Sequence, residues 1–540
     1  MLTSGALKPN VFIEVFEDET MANIIVCCDG TWNTDQNKDR GQPAPTNVRK
    51  FFADLAEKDA KNLTQKPYYR NGVGTSGGFF KRVLGGAVGL GLEDDIKSAY
   101  KFLAETYTEG DRIFLIGFSR GAYAARSLAG MLGRIGLFDL SNPSLSEKEK
   151  WAAVHAALIR YQAAKAGDDI GFLQRALWLK IPKNASGGVF QDVDVHFLGV
   201  WDTVGSLGIP DDLGVMTALV GDPRKHAFHD TELGDNVKHA RHAVAIDERR
   251  KDFTPTLWTN AEPDRVKQLW FPGVHADVGG GYADHDLGDL TLRWMMQEAQ
   301  AQGIAFREGA FERLTDNPQG VLHDSVSGVF KYRRTRPRSV PSFIRKGDGL
   351  SKFSEPALKR FKFPAEGEPE YWQCHQLKVN QTLNIRISAK DRWNRTGVFL
   401  EQGKTYKLSA RGEWLDASIT AEPEGAKQGF HLAKGAYVLA SIPEGIRGAL
   451  RGFRATRNAD NSLSRRYADA PWFALIGMIS NGRGVDPYSQ KLDTHQYFEI
   501  GRAREIVPEG DGYLYAFAND AWAAYGNNSG HVELTIVRTE

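Results

Sequence analysis

Cysteine is nearly absent, with Cys27, Cys28 and Cys374 the only three in 540 residues. Three thiols cannot build a disulfide framework and their spacing matches no zinc motif, so synthesis in a reducing cytoplasm is expected. Cys27 and Cys28 stand together inside an apolar run, where packing is the expected role. Long apolar stretches are missing too: no run approaches the roughly 18 to 20 residues of a membrane span. The N-terminus carries acidic residues where a signal peptide would place basic ones before an apolar stretch. Passage to a membrane or another cell therefore calls for a route other than a classical signal. Neither sign of charge dominates, with 68 Lys plus Arg against 67 Asp plus Glu. That balance argues against a dedicated nucleic-acid partner. Internal repeats and low-complexity tracts are absent as well.

What is present is ordinary soluble-protein composition, 41% hydrophobic and 25% charged, in a chain long enough for two or more cores. Residues 1–22 read as a tail, since Met21 opens a second plausible start. From residue 23 to about 330, buried strands alternate with helices. "NIIVCCDG" (23–30), "RIFLIGFS" (112–119), "VDVHFLGVWD" (193–202) and "VKQLWFPGVH" (266–275) read as apolar strands. The segment 93–107 places Ile96, Tyr100, Leu103 and Tyr107 on one helical face, and 120–137 reads as a second helix. Continuous apolar strands separated by helices imply a mostly parallel sheet covered on both faces, an α/β-hydrolase-like architecture.

The sharpest motif is Gly117-Phe118-Ser119-Arg120-Gly121, a G-x-S-x-G between an apolar strand and a helix. Such a turn needs small neighbours to fold tightly and leaves the serine hydroxyl exposed for attack. The N–H of Arg120, at the helix N-terminus, is placed to stabilise an oxyanion. A plain glycine-rich turn is the bland alternative. A serine nucleophile needs a base, and the base a carboxylate, in the chain order Ser, Asp, His. Asp202 follows one apolar strand and His275 sits in a glycine-rich loop after another. Asp202 as a turn cap, and His239 or His242 as the base, are the rivals. "DGTW" (29–32) ends the first strand, where the N–H of Gly30 or Thr31 would complete the oxyanion hole. A β-turn with Asp29 as a local acceptor is the alternative there. Metal binding by Asp29, Asp202 and Asp277 is a third option.

Residues 331–369 form a basic, proline-containing linker. Within 331–363 stand eleven Lys or Arg against two acidic residues, with Phe343, Phe353, Phe361 and Phe363 among them. The bland reading is a solvated linker; the sharper one is a basic-aromatic arm on anionic lipid, with Arg333, Arg334, Arg336 and Arg338 as its contacts. From 370 to 540 short β runs separated by turn residues indicate a separately folding all-β sandwich.

Six motifs in order, "CDGTWN" (28–33), "NGVGT" (71–75), "GFSRGAYAAR" (117–126), "GVWDTVG" (199–205), "HAVAIDERR" (242–250) and "GVHADVGGGY" (273–282), resemble the catalytic domain of type VI secretion phospholipase effectors of the first lipase class. The resemblance implies an α/β-hydrolase acting as a phospholipase A, with the triad on Ser119, Asp202 and His275. It also implies a phospholipid surface as substrate, delivery by secretion components into a target-cell periplasm, and an immunity protein. Catalysis by such a triad needs no cofactor. At the other end, "GKTYKLSARGEW" (403–414) and "LYAFANDAWAAYGNNSGHVELTI" (514–536) are similar to small bacterial galactose-binding lectins that hold calcium. That second resemblance implies a Ca²⁺ held by Asp520, Asn527, Asn528 and the carbonyl of Ala524, with a sugar as partner. Oxygen ligands of this kind suit a hard cation, and an asparagine pair can also simply shape a hairpin. The competing functions are a carboxylesterase on small or glycan-linked esters and a lectin-like adhesin with an inert hydrolase core.

Overall fold

The computed structural model describes residues 21–30, 37–71, 90–166, 188–204, 233–260, 262, 264–327, 330, 334–345, 352–364, 366–367, 369–426, 465–482, 484 and 492–540. The first half is built on six strands: β1 (Asn23–Cys28), β2 (Gln65–Arg70), β3 (Arg112–Phe118), β4 (Val195–Trp201), β5 (Val237–Ala245) and β6 (Val266–Phe271). They run parallel in the order β6-β5-β4-β3-β1-β2. Helices α1 (Asn47–Ala53), α2 (Leu90–Thr106), α3 (Arg120–Ile135), α4 (Glu147–Ala166), α5 (His275–Gly279) and α6 (Asp286–Ala301) accompany the sheet.

Alternation along the strands explains why they read as unbroken apolar runs. Ile24, Val26, Cys28, Ile113 and Leu115 face a core shared with α2, α3 and α4. Ile25, Cys27, Phe114, Ile116 and Phe118 face the opposite core, closed by α1 and α6. With both faces covered, a polar residue at either parity is buried and must find a partner, as Asn23 at the start of β1 does with Asp59. All three cysteines are free thiols, and Cys27 and Cys28 are fully buried. Helix α3 stops short of the expected residue 137. Gly136 adopts φ +74°, and the chain then pairs Leu137–Phe138 with Val189–Phe190.

The second half holds two antiparallel sheets. Their strands are β7 (Thr382–Ser388), β8 (Asn394–Leu400), β9 (Tyr406–Asp416), β10 (Ile419–Ala421), β11 (Leu475–Ile479), β12 (Gln496–Glu499), β13 (Ala503–Ile506), β14 (Gly512–Ala518) and β15 (Asn528–Arg538). One sheet runs β7-β15-β9-β10 with β13 also on β9; the other runs β8-β14-β11-β12. Leu408, Trp414, Leu475, Leu514, Leu534 and Ile536 fill the space between them, which makes this half a β-sandwich.

The two halves meet in a common apolar core. Val244 and Ile246 at the end of β5 and Trp270 of β6 pack with Phe343, Phe353 and Trp372, and with Tyr513, Tyr515 and Phe517 of β14. Phe343 lies between Phe353 and Phe361 at centroid distances of 4.0 and 4.7 Å. This corrects the expectation of a solvated linker or lipid-facing arm over the described part of 331–363. Phe343, Phe353, Arg336 and Arg338 are all buried, although Phe363 is exposed. Arg333 lies outside the described residues. Counting charge along the segment hides the partners, because the groups that neutralise these arginines come from distant parts of the chain.

Candidate active site

Strand β3 enters α3 through a turn that only small flanking residues permit. A Cβ on Gly117 would lie 2.5 Å from the Gly121 carbonyl oxygen, and one on Gly121 would lie 2.1 Å from that of Cys28. Between them Ser119 takes φ 58° and ψ −120°, a conformation that costs a non-glycine residue energy. Ser119 precedes the helix, yet its side chain makes no capping hydrogen bond. Its backbone N–H instead donates to the Trp201 carbonyl at 3.1 Å, which fixes the turn against the end of β4. Arg120 is the first residue of α3, so its N–H stands at the positive end of the helix dipole.

Asp202, next to Trp201, also has a positive φ (36°) and is fully buried. His275 opens α5, and its Nδ1 lies 2.6 Å from Oδ2 of Asp202. The ring of Phe118, the neighbour of Ser119, lies 4.6 Å from the His275 ring, and the Phe253 ring lies 4.9 Å from it. The glycines after His275 allow this approach: a Cβ on Gly279 would meet Phe118 Cε2 at 1.9 Å. The turns carrying Ser119, Asp202 and His275 thus lie at the C-terminal ends of β3, β4 and β6 of one parallel sheet. Burial alone would raise the Asp202 pKa, but the charge of Arg338 and hydrogen bonds from His275 and Arg338 hold it well below the carboxylate range. Burial lowers the His275 pKa and outweighs the opposing pull of Asp202, so the ring is neutral and able to accept a proton at neutral pH.

The rival bases are placed otherwise. His242 on β5 is fully buried; its Nε2 accepts from the Thr203 N–H at 3.1 Å and its Nδ1 lies 3.0 Å from Gln268 Oε1. Burial, with the charge of Arg126, pushes its pKa down to about 3. With both nitrogens engaged it serves as a wedge between strands. His239 packs its ring 5.7 Å from that of His196. On the oxyanion side, the Gly30 N–H donates to the carboxylate of Asp29 at 2.7 Å, so it is spent within its own turn. Thr31 lies outside the described residues.

The three-aspartate metal option does not fit. Asp29 is held by Thr46 and Tyr69, Asp202 by His275 and Arg338, and Asp277 by His323 Nδ1 at 2.6 Å and the Val274 N–H at 2.9 Å. Among the described residues no group of three or more His, Cys, Asp or Glu could hold a metal. Two residues support the site in roles the sequence does not signal, Glu248 and Arg338, the latter among the expected lipid contacts. Glu248 is buried beneath His275, accepts from Arg250 Nη2 at 2.7 Å and lies 3.3 Å from the His275 N–H. Arg338 reaches Asp202 from far along the chain, a pairing that no local pattern could signal.

In the sandwich, the four residues implied as calcium ligands gather at one end of β15. Asn528 Nδ2 donates to Asp520 Oδ2 at 3.0 Å and to the Ala389 carbonyl at 3.1 Å. Asn527 Nδ2 donates to Asp416, a carboxylate at the end of β9 that sequence reasoning had not singled out. The amide oxygens of Asn527 and Asn528 are both buried without a hydrogen-bond partner. The Ala524 carbonyl receives only a long 3.5 Å contact from the Asn527 N–H. Orphaned buried amide oxygens beside two buried carboxylates suit a hard cation. These residues therefore fit Ca²⁺.

Residues 22–298 match the family described as T6SS phospholipase effector Tle1-like, catalytic domain. An uncharacterized protein of Saccharomyces cerevisiae is 31% identical over 445 residues, covering 57% of this chain and 60% of that protein. The chain thus spans less than two thirds of that curated relative. Among solved structures, a Tle1 effector bound to the VgrG spike of the type 6 secretion system is 19% identical, covering 49% of this chain and 52% of that one at a TM-score of 0.28. The N-terminal domain of EclA, described as a PllA-like lectin, is 17% identical, covering 29% of this chain and 94% of that one at a TM-score of 0.17.

Proposed function

The chain belongs to the Tle1-like phospholipase effector family of type VI secretion, and on that premise we propose that it is a serine hydrolase cleaving an acyl ester of a phospholipid. The observation that carries the reading is the buried His275–Asp202 pair, with the strained turn of Ser119 tied by its N–H to Trp201, the residue before Asp202, and its hydroxyl left out of the helix cap. Ser119 Oγ attacks the acyl carbonyl carbon as its proton passes to His275 Nε2. Asp202, bonded to Nδ1, fixes the tautomer and stabilises the imidazolium. The Arg120 N–H receives the oxyanion, and the N–H of Thr31 is proposed as its second donor. Collapse breaks the ester bond; His275 returns the proton to the leaving lysophospholipid oxygen. Water, deprotonated by His275, then releases the fatty acid and restores Ser119.

The test is fatty-acid release from phospholipid mixed micelles by the purified full chain, beside short-chain nitrophenyl esters. Release from phospholipid, absent in Ser119→Ala, supports the reading. Turnover confined to the short esters would make the protein a carboxylesterase, and no turnover of either would favour an adhesin with an inert core. Delivery through the secretion spike and an immunity protein covering the site are part of the proposal. No helix among the described residues is long and apolar enough to cross a membrane.

For the sandwich the proposal is a lectin-like module holding one Ca²⁺ through Asp520, Asn527, Asn528 and the Ala524 carbonyl, with a sugar as its partner. Asp416, which accepts from Asn527 Nδ2, would hold that amide in place as a ligand. When bound, the ion would supply positive charge to offset the buried carboxylates and would attract the hydroxyl groups of a sugar. Binding to the folded state alone stabilises it by about 2.7 kcal/mol at a hundredfold excess over Kd. Calorimetry on the full chain is expected to show a higher Tm in excess calcium than in chelator, with Asp520→Asn insensitive to both. Identical Tm values for the unmodified protein, together with no calcium binding heat, would remove the metal site. Ester turnover is expected to be indifferent to chelator.

A further inference from the structure

We propose that Arg338 is a positioning residue of the active centre, so that a segment beyond the family's catalytic domain completes the hydrolase. The inference rests on the serine-triad reading and deepens it. Nη1 of Arg338 donates to Asp202 Oδ1 at 2.7 Å and Nη2 to Oδ2 at 2.9 Å, a two-pronged contact that fixes the plane of the carboxylate. The same two nitrogens each donate at 2.6 Å to carbonyl oxygens, those of Ala245 at the end of β5 and Phe253 beside His275. The Ala245 N–H adds a bond to Oδ1 at 2.9 Å and His275 takes Oδ2. Every direction around Asp202 is thereby set, and the one left to the imidazole is what remains. Both partners are almost wholly buried, with side-chain exposures of 2% for Arg338 and 0% for Asp202. A lysine would carry the charge without the planar fork.

The strap that delivers Arg338 is gripped from both halves of the molecule. On the hydrolase side, the Arg336 N–H donates to the Arg249 carbonyl at 2.6 Å, and Thr335 bridges Arg250. On the sandwich side, Trp393 Nε1 donates to Thr335 Oγ1 at 3.0 Å and Arg336 Nη2 donates to the Asp493 carbonyl. His495 Nδ1 accepts from the Gly482 N–H at 3.0 Å, and its Nε2 lies 2.9 Å from the Pro337 carbonyl oxygen and 3.0 Å from Arg336 Nε. The sandwich thus holds the residue that holds the acid of the triad.

Two measurable consequences separate positioning from mere support of the fold. Without the fork, Asp202 can rotate away from His275, and small misplacements cost about 100-fold in rate. Loss of the cation also leaves the negative charge of Asp202 less compensated, so the imidazolium is favoured and the acid limb of kcat/KM moves to higher pH. The other charged or titratable groups around the pair are Arg250 and Glu248 beside His275 and His242 beside Asp202, and all stay in place.

The experiment measures kcat, KM and the pH profile on a soluble short-chain ester for the full chain, Arg338→Met and Arg338→Lys, with thermal melts of each. Arg338→Met is expected to lose about 100-fold in kcat with little change in KM, and to show the acid limb moved upward. Arg338→Lys should fall between it and the unmodified protein. An Arg338→Ala variant, made as well for rescue, should regain part of its rate with added ethylguanidinium. If the Met variant does not fold, the Lys variant decides. A folded variant with unchanged kcat and an unmoved acid limb overturns the proposal. Ser119→Ala in the same assay separates the two claims. If it still turns over, the serine reading falls and this proposal with it; if it is dead while the Arg338 variants are normal, this proposal alone falls.

Discussion

Ser119→Ala is expected to lower ester turnover by roughly three to six orders of magnitude, as removal of a triad nucleophile does, with melting essentially unchanged. The substitution removes one oxygen, and that oxygen makes no capping bond in α3. The backbone carries the strain of φ 58° with either residue, so the turn between Gly117 and Gly121 persists. A kinetic collapse without a thermal shift is the signature of a group whose work is chemical. Initial rates on a soluble ester and on phospholipid micelles, beside a melt of the same preparation, check both halves of the expectation. Comparable turnover by the alanine variant would end the serine mechanism.

His275→Ala should cost about as much, because the members of a triad act as a unit. Asp202→Asn should cost somewhat less than either. The informative companion is His242→Gln, expected to retain its rate per folded molecule while melting earlier. Its imidazole is committed on both nitrogens, to the Thr203 N–H and to Gln268. The reverse pattern, near-normal rates without His275 and lost rates without His242, would move the base to β5. A pH profile adds a sign. The base works only when neutral, and burial holds the His275 pKa below the ordinary imidazole value. The kcat/KM value is therefore expected to stay level as pH falls through about 6.5 and to decline only on the acid side of it. A limb at higher pH would show that the imidazolium is favoured in the site after all.

How much was legible in the sequence differs from element to element, for physical reasons. Strand β1 was plain because, after Asn23, its residues alternate into two apolar cores. The serine turn was equally plain, since its two glycines are demanded by contacts under 3 Å. Strand β5 was missed as a strand. It begins Val-Lys-His-Ala-Arg-His, and its buried polar side chains find partners inside the fold, such as Glu298 for Arg241 at 2.5 Å. Strand β8 was hidden in the same way, since Asn-Arg-Thr-Gly opens it before the apolar residues begin. Arg338 was misjudged by its setting. In a basic segment an arginine looks solvated, and the carboxylate that takes it is 136 residues away. Asp416 stands two residues past the lectin-like stretch 403–414, and its link to Asn527 arises only from the pairing of β9 with β15.

The central claim is that Ser119 is a nucleophile activated by His275. Its most direct test is covalent labelling of the full chain with a fluorophosphonate, followed by intact-mass measurement and peptide mapping. The account predicts one adduct, on the peptide carrying Ser119, formed rapidly by the unmodified protein, abolished in Ser119→Ala and strongly slowed in His275→Ala. Labelling at another serine, or equal labelling with and without His275, would contradict it.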